Sequence, residues 1–298
     1  MNRADRFNDT SGTGKSVADN SSSRQSVSIG TSGAATSVIA ASCGIAFMAK
    51  ASAPGRAKTR LVPPLTFDEA AALNTGFLQD VADNLLLAAR HCAPSARIAG
   101  YAAYGPPGSE DFFRRTLPGA IGLIGAWLPN FGDCLHHTIR EILARGHGSA
   151  VVLNADSPTL PTALLIETAA VLARPGDRAV LGPSSDGGYY LLGLKIAHRR
   201  MFDDIAWSTE RVAAQTLERA RELNLEVHSL PVWYDVDDID GLRRLYAELS
   251  GADADRRRSG TVPPYYAVQT AKLMHRLWRD HDFGERAAGV MQIDEARA

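Results

Sequence analysis

The stretch KASAPGRAKTRL, Lys50 to Leu61, sets four cations, a proline and a glycine directly after the apolar run SVIAASCGIAFMA. Lys58 and Arg60 stand two residues apart, so an extended loop points both to one side. Gly55 lets backbone amides turn inward, and an ammonium and a guanidinium beside such amides make an anion site suited to phosphate oxygens. Acidic counterparts follow. In NADSPTLP, Asp156 ends a strongly apolar run and is stiffened by Pro158 and Pro161, a placement fit for a divalent cation. In WYDVDDID, Asp235 and Asp237 flank Val236 and face one side of an extended segment, a geometry that suits Mg²⁺ or Mn²⁺, while Asp238 is placed to cap the next helix. A third loop, LGPSSDGGYYLLGL, carries Asp186, Gly187 and Gly188. These fit an ordinary hairpin, and the glycines would also let a flat or sugar-like group approach the backbone. One cationic loop and two separate acidic strand ends are the parts a metal–nucleotide complex requires. A helix N-terminus at Ser208–Thr209 is a further expected anion contact.

The surrounding pattern supplies elements to hold these loops. Short apolar runs (SVIAASCGIAFMA, ARIAGYAAY, GLIGAWL, SAVVLNAD, DRAVLGP, YYLLGL, EVHSLPV) alternate with helix-patterned segments. Thr66 and Glu69 form a capping box, and Phe77, Val81, Leu85 and Ala88 share one face of the helix that follows. Strands alternating with helices predict an α/β three-layer sandwich with a mostly parallel mixed sheet, whose ligands bind at the carboxyl ends of the strands. Residues 1–36, rich in Ser, Asn, Thr, Gly and Asp, read as a disordered tail. Their SGTGKS stretch lacks the first glycine of a phosphate-binding P-loop, because that position is Asp9. Residues 37–250 read as the catalytic domain and 251–298 as a linker and a C-terminal helix, with Tyr266, Leu273 and Leu277 expected on its buried face.

Composition narrows the class. With 32 basic and 33 acidic residues in 298, the net charge is −1, which excludes a surface built as a whole for nucleic acid or membranes. No apolar run is long enough to span a bilayer. Three scattered cysteines offer no disulfide framework or zinc motif, which predicts a cytoplasmic setting.

The motifs AKASAPGRAKTRL, NADSPTLP, LGPSSDGGYYLLGL, IAWSTERV and DVDDIDGL, in this order across roughly residues 38–250, resemble the radical-SAM/selenodomain-associated transferase family. More distantly they resemble molybdenum-cofactor and phospholactate guanylyltransferases. The resemblance implies a GT-A (nucleotide-diphospho-sugar transferase) fold. It also implies a transferase that uses a nucleotide or nucleotide sugar, a small-molecule acceptor and Mg²⁺ or Mn²⁺. By position, Lys58 and Arg60 would bind phosphates, Asp156 and Asp237 the metal, and Asp186, Gly187 and Gly188 the sugar or acceptor; Asp156 and Lys58 would be the catalytic pair. His137 and Asn154 stand where the family usually has Arg and Gly. Glycosyl transfer, nucleotidyl transfer with pyrophosphate release, and non-catalytic nucleotide binding are all compatible with these motifs. The oligomeric state is left open.

Overall fold

A computed structural model describes residues 42–251, 262–280, 282–283 and 285–287. The expected tail at 1–36 and most of the expected linker lie outside the described residues. The strands are β1 (Ser42–Lys50), β2 (Arg97–Gly105), β3 (Gly122–Gly125), β4 (Ser149–Leu153), β5 (Arg178–Pro183), β6 (Tyr189–Leu194) and β7 (Glu226–Ser229). They form one sheet in the order β3-β2-β1-β4-β6-β5-β7. All neighbours pair in parallel except β6, which runs antiparallel to both β4 and β5. The helices are α1 (Phe67–His91), α2 (Glu110–Thr116), α3 (Phe131–Ala144), α4 (Thr162–Leu172), α5 (Val212–Glu222), α6 (Ile239–Ser250) and α7 (Val268–Leu277).

Period-two alternation explains the three layers. In β1, Cys43, Ile45 and Phe47 enter a core shared with α1 and α4, and Ala46 enters the opposite core under α3 and α5. In β4, Val151 and Leu153 face the first core while Ala150 and Val152 face the second. Both faces of these strands are covered, so their sequences are apolar runs rather than alternations. Helix α1 starts where its capping box dictates. Thr66 Oγ1 accepts from the Glu69 amide at 3.2 Å, and the Glu69 carboxylate accepts from the Thr66 amide at 2.7 Å. The expected face of Phe77, Val81, Leu85 and Ala88 is buried.

A third core lies beyond α1 and joins Leu61, Leu65, Phe77, Tyr234, Val236 and Leu245 to α7. The buried face of α7 is Thr270, Ala271, Met274 and Leu277; Tyr266 precedes the helix and is exposed, which corrects the face expected from the sequence. Two amides at the start of α7, those of Gln269 and Thr270, donate to the carboxylate of Asp80 on α1 at 3.0 and 2.7 Å. That carboxylate is buried and satisfies donors a helix start otherwise leaves unpaired.

Helix α5 also departs from the sequence reading. It begins at Val212, not at Ser208, whose φ is 64°. The 184–188 turn dictates this. Gly187, at φ 89°, lies so close to Glu210 that a Cβ would sit 2.2 Å from the Glu210 carbonyl oxygen, and Gly187 O accepts from the Ala213 amide. Residues 206–211 fold into a turn against the hairpin, so no helix N-terminus forms at Ser208–Thr209.

Candidate active site

Strands β1, β4 and β5 run in the same direction, so the loops that leave them meet at one edge of the sheet. The segment 233–237 is laced between two of those loops. Ser185 N donates to Trp233 O, Ser157 Oγ to Tyr234 O at 2.8 Å, and Val236 N to Asp156 O at 2.9 Å. Asp156 and Asp237, 81 positions apart in sequence, are thereby held side by side. Asp238 caps α6 through the Gly241 amide at 2.8 Å, as its position in the sequence predicts.

Lys58 completes the junction. Its Nζ lies 2.7 Å from Asp156 Oδ1 and 3.0 Å from Asp237 Oδ1, and it donates to Val236 O at 2.7 Å. Those three contacts use all three ammonium donors. The side chain is 6% exposed, against 37% for Asp156 and 41% for Asp237. Burial acts to lower its pKa, but the two carboxylates outweigh burial and the net direction is upward, so Lys58 stays charged. Its backbone is left-handed, with φ 50° and ψ 37°, which turns the side chain in while the chain enters a short 3₁₀ turn at Thr59–Leu61.

The remaining cations of the opening stretch face a cleft of about 290 Å³ lined by Lys50, Arg56, Lys58, Arg60, Asp156 and Asp237, among others. Arg60 is 78% exposed and its Nη1 is 3.9 Å from Asp237 Oδ2. Asn74, a buried polar residue on the apolar face of α1, ties down the floor by donating to Lys50 O at 3.1 Å and Ser52 Oγ at 2.8 Å. Sequence reasoning passed over Asn74; the signal was an amide where the helical period calls for an apolar residue.

The other expected site residues lie around this cleft. Gly55, at φ 72°, directly precedes the lining residue Arg56. Asp186 lines an adjoining cleft of about 470 Å³ that shares Arg60 and Asp237. Its Oδ1 accepts from the Gly188 amide at 2.9 Å, so Asp186, Gly187 and Gly188 shape the hairpin turn between β5 and β6. Asp235 accepts from Ser184 Oγ at 3.2 Å. Burial, followed by the neighbouring charges of Asp186 and Asp237, pushes its pKa up to about 6. His137 bonds Gly125 O at 3.1 Å.

Whether Asp156 and Asp237 fit a divalent ion is a question of donor geometry. Both present hard oxygens, both touch the same nitrogen, and both remain open to the basic cleft. Mg²⁺ and Mn²⁺ sites of this type need one or two carboxylates, completed by substrate phosphates and water. The residues fit. Among the described residues no cluster of three or more His, Cys, Asp or Glu could hold a metal by itself.

Comparison with known proteins agrees with the architecture. Residues 88–209 match the family described as "Uncharacterized protein conserved in bacteria (DUF2064)". No curated protein matches the sequence. Among solved structures, a protein from Desulfovibrio desulfuricans G20, provisionally assigned as a nucleotide-diphospho-sugar transferase, is 28% identical; the match covers 79% of this chain and 97% of that one, with a TM-score of 0.64. Looser superpositions relate the chain to Rv0371c of Mycobacterium tuberculosis H37Rv (16% identity, 68% and 96% covered, TM-score 0.42) and to a cytidylyltransferase of Leptospira borgpetersenii (10%, 74% and 96%, 0.46). The chain has the GT-A type of fold, that of nucleotide-diphospho-sugar transferases, as the sequence motifs imply. Among the described residues no helix is long and apolar enough to cross a membrane.

Proposed function

We propose that this protein is a metal-dependent transferase that takes its transferred group from a nucleotide-activated donor, in the manner of a glycosyltransferase. One observation carries the reading: two carboxylates from distant loops meet on one buried ammonium at the mouth of a cleft lined by three further cations. The 28% identical relative provisionally assigned as a nucleotide-diphospho-sugar transferase, 97% of which the match covers, supports the donor class.

Each residue has a distinct task. Arg60, Arg56 and Lys50 hold the diphosphate, Arg60 with the geometry for bidentate contact. Asp156 and Asp237 would hold Mg²⁺ or Mn²⁺, which supplies charge stabilisation at the departing diphosphate. Lys58, whose donors are already used, is a positioning residue that keeps the two carboxylates together. In glycosyl transfer, the acceptor oxygen forms the new bond to the anomeric carbon. The bond from that carbon to the diphosphate oxygen breaks with its electron pair, and the acceptor proton leaves to water. Preorganised charge and positioning supply the rate enhancement.

The test incubates the full chain with Mg²⁺ or Mn²⁺ and panels of nucleotide sugars and nucleoside triphosphates. Release of nucleoside diphosphate supports glycosyl transfer. Release of pyrophosphate with a phosphorylated acceptor moves the assignment to nucleotidyl transfer. Metal-enhanced thermal stabilisation without turnover leaves a binding protein, and no response to any nucleotide overturns the reading.

A further inference from the structure

Beyond Asp237, the cleft of about 470 Å³ has a charge pattern that the donor site does not use. Its aspartates are engaged within the protein. Asp235 accepts from Ser184 Oγ, Asp237 pairs with Lys58, Asp238 caps α6, and Asp240 pairs with Arg243 at 2.8 Å. Asp186 gives only Oδ1 to the Gly188 amide, and its other oxygen takes no hydrogen bond among the described residues. Arg244, on α6, has no carboxylate partner among them. Its guanidinium lies over the ring of the buried Tyr234, 3.8 Å from the centroid. That ring is fixed through its hydroxyl, which donates to Glu248 Oε2 at 2.7 Å. Stacking uses the face of a guanidinium and leaves the N–H donors in its plane available.

These groups define what would fit. Water satisfies an exposed guanidinium, so it is the placement of Arg244 that counts. It shares this cleft with Arg60, which is 78% exposed, and with Asp186. Guanidinium groups favour a carboxylate or a phosphate, which they meet with paired N–H bonds. An ionised Asp186 only accepts, so the part of a ligand that reaches it must donate, and a hydroxyl does. The carboxylates along the wall repel a polyphosphate, which separates this cleft from the basic one and limits its occupant to one anionic group. The volume is that of a small-molecule site.

We propose that this cleft is the acceptor subsite and that it takes a small hydroxylated anion, a hydroxy acid or a hydroxyalkyl phosphate. Arg244 holds the anionic group, with Arg60 at the border to the donor cleft, and Asp186 accepts from the hydroxyl. The inference rests on the transferase reading for its role as acceptor site, but not for its existence as an anion-binding site. Arg244, which belongs to none of the sequence motifs, is then a specificity residue.

The test is calorimetric titration of the full chain, without metal or nucleotide, with glycerate and glycerol 3-phosphate as probes. Glycerol, which lacks the anion, and propyl phosphate, which lacks the hydroxyls, are the controls. One or both probes bind, and which one does separates a carboxylate from a phosphate; the controls bind more weakly. A phosphate could also enter the basic cleft, so the titrations are repeated on Arg56→Ala, where the probes still bind. Adding Arg244→Gln to either protein weakens them about tenfold or more, the worth of a charge-assisted contact. Arg244→Lys, which keeps the charge but not the planar fork, falls between the two. Binding that Arg56→Ala removes and Arg244→Gln leaves untouched, no binding of either probe, or equal binding of either control overturns the proposal. Because no nucleotide is present, failure here leaves the donor reading standing, and failure of nucleotide binding leaves this result standing.

Discussion

Replacing Lys58 by methionine keeps most of the side chain's volume and removes one charge from the centre of the site. Asp156 and Asp237, each with an oxygen within 3.0 Å of the lost nitrogen, then face each other without a cation. Breaking a fully buried ion pair costs about 3–5 kcal/mol. Here the carboxylates are 37% and 41% exposed, so water screens part of the repulsion and about 2 kcal/mol is the expected loss. At about 2–4 °C per kcal/mol for a chain of this size, the melting temperature falls by about 4–8 °C. Divalent metal offsets part of that loss. It can occupy the position the ammonium leaves, so millimolar Mn²⁺ stabilises Lys58→Met by several degrees more than it stabilises the wild type. Differential scanning fluorimetry with and without Mn²⁺ measures both effects. If the variant melts with the wild type, or gains no more from Mn²⁺, Lys58 does not hold the carboxylates and the assignment of its role fails.

Other perturbations separate the parts of the site. Arg60→Ala lowers affinity for a Mn²⁺–nucleotide complex about tenfold or more, the worth of a charge-assisted contact, with an unchanged melting temperature because the side chain is 78% exposed; calorimetric titration reads it. Asp156→Asn abolishes the metal-dependent part of nucleotide binding in the same titration while retaining the fold by circular dichroism. Asp80→Ala removes the acceptor of two α7 amides and costs about 1–2 kcal/mol, seen as faster hydrogen exchange across residues 268–277. His147 bonds Ser42 Oγ and Tyr101 OH, and burial followed by the Arg145 charge holds its pKa below the usual 6.5. The folded state therefore favours the neutral ring: this stability is complete above about pH 6.5 and is lost as pH falls through the depressed value. Melting curves from pH 7.5 to 5.5 should fall more steeply for the wild type than for His147→Asn.

The fold was legible because burial leaves a period in the sequence. The runs around Ile45, Ala102 and Val151 are apolar on both faces, and Thr66 with Glu69 marks a helix start through purely local hydrogen bonds. The antiparallel β6 was legible only as a hairpin, since Asp186-Gly187-Gly188 states a turn but not which strand the hairpin lies against. Lys58 shows where local pattern ends. A lysine in a polar loop has the composition of a solvent-facing anion ligand, and only the meeting of Asp156 with Asp237 draws it inward. The start of α5 was misplaced for a similar reason: Ser208 and Thr209 have capping chemistry, but the approach of Gly187 to Glu210 claims that segment for a turn. Arg244 is visible at the site only in three dimensions, because nothing in a sequence reports which cleft an arginine of α6 lines.

The third core explains why the two halves of the site meet at all. Leu61 and Leu65, directly after the basic loop, and Tyr234 and Val236, directly before Asp237, are buried in one cluster with Phe77, Leu242, Leu245 and Met274. Lys58 and Asp237 are therefore anchored by neighbours in a common apolar layer before any charge is counted. Each fully buried Leu contributes about 1.5–3 kcal/mol, more than a partly screened ion pair returns. Packing brings the loops together, and electrostatics sets the final distances. Because α7 supplies Ala271, Met274 and Leu277 to the same layer, the C-terminal helix supports the site it does not touch. Loosening α7 through Asp80→Ala should accordingly weaken Mn²⁺–nucleotide binding as well as hydrogen-exchange protection. If α7 frays while binding is unchanged, the site is held by its ion pairs and not by this core.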